Sequence, residues 1–196
     1  FYKVSKMRNN EFAWLSYGKY LGGLLFIFPQ LRPLLFCLFF YFILKTKFKF
    51  EIKINRVYNI LFLILLFIPV IILINALSFY FLNDFSQQKI VTSIMEKDHI
   101  SYSQVFSILV FSPIIEELYF RKVLLEELYK RIGSLWSIFT TSLYFSIIHL
   151  NILSFPTLLA LGILLGTIFQ ITKSVILCII VHVLFNFFML CTIIIQ

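Results

Sequence analysis

Between Phe106 and Arg131 an otherwise apolar run carries two adjacent carboxylic acids, Glu116 and Glu117, and any fold of this chain has to supply them with partners. At bilayer depth an unsatisfied charge costs roughly 2.5–3.5 kcal/mol even on the lenient insertion scale. Helical spacing separates the two acids. Glu117 has Arg121 one turn below it, and Glu126 and Glu127 have Lys130 and Arg131 in the same acid-before-base order, so these three can form local ion pairs. Glu116 has Phe120 at that position and Pro113 three residues before it, so its own helix offers it no cation one turn away. Neighbouring helical residues point about 100° apart, so Glu116 can face a bundle interior while Glu117 turns to Arg121. Pro113 has no N–H for the carbonyl of Leu109, which loosens the backbone just above the pair. The partner of Glu116 must therefore come from another segment.

The rest of the chain has room for such a bundle and little else. Of its 196 residues 61% are hydrophobic and 13% charged, outside the range of a soluble domain, so the fold class is all-α: a polytopic transmembrane helical bundle with about 6–7 membrane helices. No cleavable leader is expected, because the first twenty residues are mixed polar and basic. The net charge of +8 clusters beside apolar runs, as the positive-inside rule requires, so membrane lipid and not nucleic acid is the expected partner. Cys37, Cys178 and Cys191 lie within apolar runs without metal-type spacing and read as small buried hydrophobes.

Taken in order, residues 1–56 form an N-terminal membrane segment, or a helix pair broken at Pro29-Gln30-Leu31-Arg32-Pro33, followed by a basic cytoplasmic loop with Lys45, Lys47, Lys49, Lys53 and Arg56. Residues 57–196 form the membrane-embedded core. Val57 to Leu82 can span with some tilt, and 83–102 is an external loop whose His99 reads as a solvated surface histidine. Ser103 to about Arg121 returns inward, Gly133-Ser134 turns, and Leu135 to Leu150 goes out. Thr157 to Ile171 comes back, Lys173 marks the inner side, and Val175 to Ile195 crosses last.

Two of these later spans carry histidines deep in apolar sequence, His149 and His182, and Asn186 lies one turn beyond His182 on the same face. At about 1.5 Å per residue, Glu116 and His182 fall about 12 Å and His149 about 20 Å from the cytoplasmic face of a core roughly 30 Å thick. One layer can therefore collect polar groups from three helices. Singly, each has a bland reading as a local ion pair, an interhelical hydrogen bond or packing glue. Jointly, with Glu116 lacking a local partner, they point to a functional site.

Glu116-Glu117-x-x-x-Arg121, then Phe145-x-x-x-His149, then His182-x-x-x-Asn186 resembles the three motifs of the CPBP family (CAAX protease and bacteriocin-processing, or Abi) of intramembrane proteases, in the same order and on successive helices. The resemblance implies a hydrolase of peptide or membrane-anchored precursors in which Glu116 and His149 activate a water and His182 and Asn186 face the carbonyl oxygen. It implies supporting roles for Glu117, Arg121 and Phe145, with Arg121 orienting the helix through Glu117. The cofactor stays open between none and a divalent metal such as zinc on Glu116, His149 and His182, a donor set that suits a catalytic zinc although no His-Glu-x-x-His is present. Heavy use of Phe, Ile, Lys and Asn suggests an AT-rich bacterial genome, hence a multi-pass protein of a bacterial plasma membrane and a bacteriocin, pheromone or lipoprotein precursor as substrate. Two other classes compete: a non-catalytic bacteriocin-immunity or scaffold protein, and a proton-coupled carrier built on the same Glu and His.

Overall fold

The computed structural model describes residues 57–82 and 101–195. The N-terminal segments and basic loop of 1–56, most of the 83–102 loop and His99 lie outside the described residues. Among the described residues all regular structure is helical, as an apolar chain requires when its backbone groups have to satisfy one another internally. Helix α1 runs Val57–Leu82. A continuous helical rod then comprises α2 (Tyr102–Phe106), a π-helical turn (Ser107–Phe111), α3 (Ser112–Glu117), a longer π-helical stretch (Leu118–Leu125) and the start of α4 (Glu126–Ile147). Helices α5 (Phe155–Thr172) and α6 (Val175–Ile195) complete the described chain.

Sequence punctuation accounts for most of these boundaries. The helical path breaks inside α4 at Gly133, whose φ of 76° and ψ of −179° suit a residue without Cβ. Helix α5 opens with Pro156 in its first turn, where the missing N–H costs nothing, and closes on Lys173 in the left-handed region (φ 57°). Lys173 Nζ donates to Gln170 Oε1 at 2.6 Å and sits 4.9 Å from the centre of the Tyr129 ring, so this basic residue caps α5 and ties it to α4.

Helices α1, α5 and α6 are long and apolar enough to cross a membrane. The six to seven membrane helices expected from sequence are therefore not reached among the described residues. The rod from Tyr102 onward carries Glu116, Glu117, Arg121 and Lys122, and α4 replaces aliphatic residues with small hydroxyls. Ser137, Thr141, Ser142 and Ser146 are fully or almost fully buried. Each bonds back to its own helix: Ser137 to Ser134 O, Thr141 to Ser137 O, Ser142 to Ile138 O and Ser146 to Ser142 O, all at 2.7–2.8 Å. The hydroxyls are thereby satisfied without a partner helix, and their small size lets α5 approach closely.

The α4–α5 pair is the most extensive helix contact, and its tightest point is Gly162 against Ser142. A Cβ at Gly162 would stand 2.9 Å from Ser142 Cβ and 3.0 Å from its Cα. Gly162→Ala is expected to destabilise the protein by about 1–3 kcal/mol, because overpacking against backbone outweighs the higher helix propensity of alanine. Thermal unfolding in detergent checks the sign: a rise in the midpoint would mean the helices separate freely there.

Helix α1 packs on α5, with Thr157 donating to Asn75 Oδ1 at 3.3 Å, and its outer face of Leu61, Phe62, Leu65, Phe79 and Phe81 is exposed and apolar. Helix α6 lies against α3, the first π turn and α5. The shared core includes Phe120, Leu125, Phe145, Leu161, Leu165, Ile168, Phe169 and Cys178, each fully buried. Cys178 is thus a buried apolar residue and Cys191 a partly buried one, while Cys37 lies outside the described residues. Laying α6 along the acid-bearing rod is what brings His182 and Asn186 to Glu116 and Glu117.

Candidate active site

Phe145 stands at the centre of the polar cluster. Its fully buried ring meets Phe120 edge-on at 5.2 Å, His149 at 4.9 Å and His182 at 5.8 Å, and the Arg121 guanidinium lies 5.7 Å from its centroid. One aromatic residue thus positions both imidazoles and a cation, the weakly negative ring face suiting the last of these.

Glu117 is the sealed acid of the pair. Its side chain is fully buried, its Oε2 accepts from Arg121 Nε at 2.8 Å, and its Oε1 accepts from His182 Nδ1 at 2.9 Å. The local ion pair read from the i,i+4 spacing is present, but it is not self-contained. A carboxylate has two oxygens; Arg121 Nε takes one and leaves the other for a second helix. Arg121 is itself fully buried, and its Nη1 and Nη2 have no hydrogen-bond partner. Nη1 lies against α5, where a Cβ at Gly166 would come within 3.6 Å of it.

Glu116 is the acid that keeps access. Its side chain is 13% exposed, and its Oε2 lies 3.8 Å from His182 Nε2, within ion-pair range but beyond a hydrogen bond. Glu116 therefore faces the interior and meets an imidazole brought by α6.

The ring nitrogens of both histidines are assigned by their acceptors. His149 Nδ1 stands 2.7 Å from the Phe145 carbonyl, which can only accept, so Nδ1 carries the proton and a neutral ring presents Nε2 as acceptor. His182 Nδ1 likewise donates to Glu117 and turns Nε2 toward Glu116. Asn186 Nδ2 donates to the backbone carbonyl of Ile108 at 3.0 Å, which leaves one of its two N–H groups for another acceptor.

Two local details differ from the sequence expectations. Glu126 accepts from Lys122 at 2.7 Å, a partner on its N-terminal side that the acid-before-base spacing does not include, while Glu127 pairs with Arg131 at 2.7 Å as the spacing suggests. The backbone group affected by Pro113 also shifts by one residue. Ser112 N–H bonds to Ser107 O, five residues back, so in this widened turn Pro113 fails to serve Ile108 where an α-helix would have it fail Leu109. The Ile108 carbonyl is the one contributor to the site with no side-chain signature; its only trace in the sequence is the proline five residues on.

Among the described residues no group of three or more His, Cys, Asp or Glu side chains is gathered closely enough to hold a metal ion. Glu116, His149 and His182, named from sequence as a possible zinc set, are not gathered as such a group. The arrangement does not fit a zinc centre, and no step below uses a metal.

Residues 99–188 match the family model described as type II CAAX prenyl endopeptidase Rce1-like. Over these residues the chain is similar to the Rce1-like family. The match agrees with the CPBP resemblance and covers just under half of the 196-residue chain, including every motif residue from Glu116 to Asn186. It supports a CAAX protease-type enzyme, and with the three long apolar helices it supports a membrane protein. No curated protein and no solved structure matches the chain.

Proposed function

We propose that the chain is an intramembrane endopeptidase of a bacterial plasma membrane that hydrolyses a peptide bond of a small peptide or membrane-anchored precursor with a water activated by Glu116 and His149. The observation that carries the reading is the unequal treatment of two adjacent acids: Glu117 is sealed and doubly bonded, while Glu116 stays partly open beside an imidazole with no close hydrogen bond of its own. A purely structural pair would gain by satisfying both. Glu116 takes a proton from water as the hydroxide oxygen bonds to the carbonyl carbon, and His149, with Nε2 free of the Phe145 bond, supports that transfer. The developing oxyanion is met by the remaining Asn186 N–H and by the His182 ring when Nε2 carries a proton in addition to Nδ1, groups already oriented by Ile108 and Glu117. Glu116 then returns its proton to the leaving amine as the C–N bond breaks, which restores the starting state.

Within this mechanism Glu117, Arg121 and Phe145 position without reacting. Glu117 fixes the His182 ring, Arg121 balances Glu117, and Phe145 packs against both imidazoles. Nothing among the described residues favours the immunity, scaffold or carrier readings over this one. Comparison of membrane-protein termini in cells carrying wild-type chain or His149→Ala tests the proposal. New termini are expected only with wild type, and His149→Ala is expected to slow release about 10²–10⁴-fold. Equal termini in both strains would remove His149 from the chemistry.

A further inference from the structure

The Ile108 carbonyl is denied a backbone donor twice. In an α-helix Ser112 N–H would serve it, but that N–H bonds to Ser107 O instead. In the widened register the next donor would be residue 113, and residue 113 is proline. An unpaired carbonyl within an apolar bundle is costly, and here the acceptor is met from α6 by Asn186 Nδ2 at 3.0 Å. Because a carbonyl only accepts, this bond also decides which way the Asn186 amide faces: nitrogen toward Ile108, with its second N–H left over.

We propose that Pro113 is a positioning residue for peptide cleavage: by keeping the Ile108 carbonyl without a backbone donor, it makes that carbonyl the anchor that holds the Asn186 amide in its working orientation. The proposal rests on the protease reading for its consequence, but the anchor itself is a statement about stability. A buried proline in a helix ordinarily reads as a kink. Here the kink has a product, a directed acceptor on the rod beside the acids, and α6 is registered against it. Asn186 lies one turn from His182 on the same face, so the anchor also sets how far His182 reaches toward Glu117.

Pro113→Ala returns an N–H that can close on Ile108 and release Asn186. Proline is poorly suited to a helix interior and alanine well suited, so P113A is expected to unfold at the same or a higher temperature than wild type while kcat falls about tenfold and KM stays within about twofold. A proline with only a structural role would lose stability and activity together. The anchor is tested separately by a double-mutant cycle on thermal unfolding in detergent. Asn186→Ala is expected to lower the midpoint by about 2–6 °C with Pro113 in place, because it orphans the Ile108 carbonyl, and by less than about 1 °C in the P113A background. An equal effect of Asn186→Ala in both backgrounds, or a P113A chain that unfolds more readily than wild type, overturns the assignment. Coupling in the cycle without any cleavage by wild type would keep the anchor and remove the protease reading.

Discussion

Glu116→Gln is expected to lower the cleavage rate by about 10³-fold or more while leaving the folded protein intact. Glutamine matches glutamate in shape but cannot take a proton from water, so the loss falls on kcat, where a general base acts. Stability is expected to change little, since the closest partner of Glu116 is His182 Nε2 at 3.8 Å and no close hydrogen bond is given up. The measurement is single-turnover cleavage in detergent or proteoliposomes, with a thermal-unfolding curve on the same sample. A glutamine variant that cleaves within about tenfold of wild type would take Glu116 out of the reaction.

The neighbouring acid is expected to behave in the opposite way. Glu117→Ala should destabilise the protein by about 3–5 kcal/mol, because it leaves Arg121, fully buried with Nη1 and Nη2 already without partners, as an uncompensated charge and strips His182 Nδ1 of its acceptor. Removing both charges is the informative control. Glu117→Leu combined with Arg121→Met is expected to recover most of the lost stability, since apolar residues of similar volume commonly replace a buried ion pair without loss. Activity should not return, because His182 is no longer held. Chemical or thermal unfolding of the single and double variants measures this, and a double variant no more stable than Glu117→Ala would show that the Arg121–Glu117 pair is not the source of the loss.

These two outcomes rest on information of different origin. That the acids divide into a locally paired and a locally unpaired one is legible in the chain, because the i,i+4 relation of Glu117 to Arg121 is a property of any helix drawn through them. The spans Val57–Leu82 and Val175–Ile195 are legible for a similar reason: each is a long, predominantly apolar run flanked by polar or charged residues, and such runs have one low-energy backbone in lipid. Gly133 announces the break in α4 because a positive φ excludes most other residues. The family motifs are legible as spacings, and the match over residues 99–188 agrees with them.

Other features have no such local cause. Three of the described helices are long and apolar enough to cross, while a Ser- and Thr-bearing helix and a charged rod are held by neighbours and by hydroxyls bonded to their own backbone, which apolar content alone does not distinguish. Pro113 declares a missing donor, but whether Leu109 or Ile108 loses it depends on a π turn that sequence does not distinguish from an α turn.

By itself, then, the chain determined that its backbone would be helical, that Glu117 would have Arg121, and that Glu116, His149 and His182 would need one another or some other partner, since charge and apolar run length act over a turn or a span. The tertiary structure decided which oxygen and which nitrogen meet: that Glu117 rather than Glu116 holds His182 closely, that Phe145 packs against both rings, and that Asn186 reaches a carbonyl 78 residues away. The physical reason is that a hydrogen bond is settled over tenths of an ångström, and the rotation and register of two packed helices are fixed at that scale only by the side chains between them.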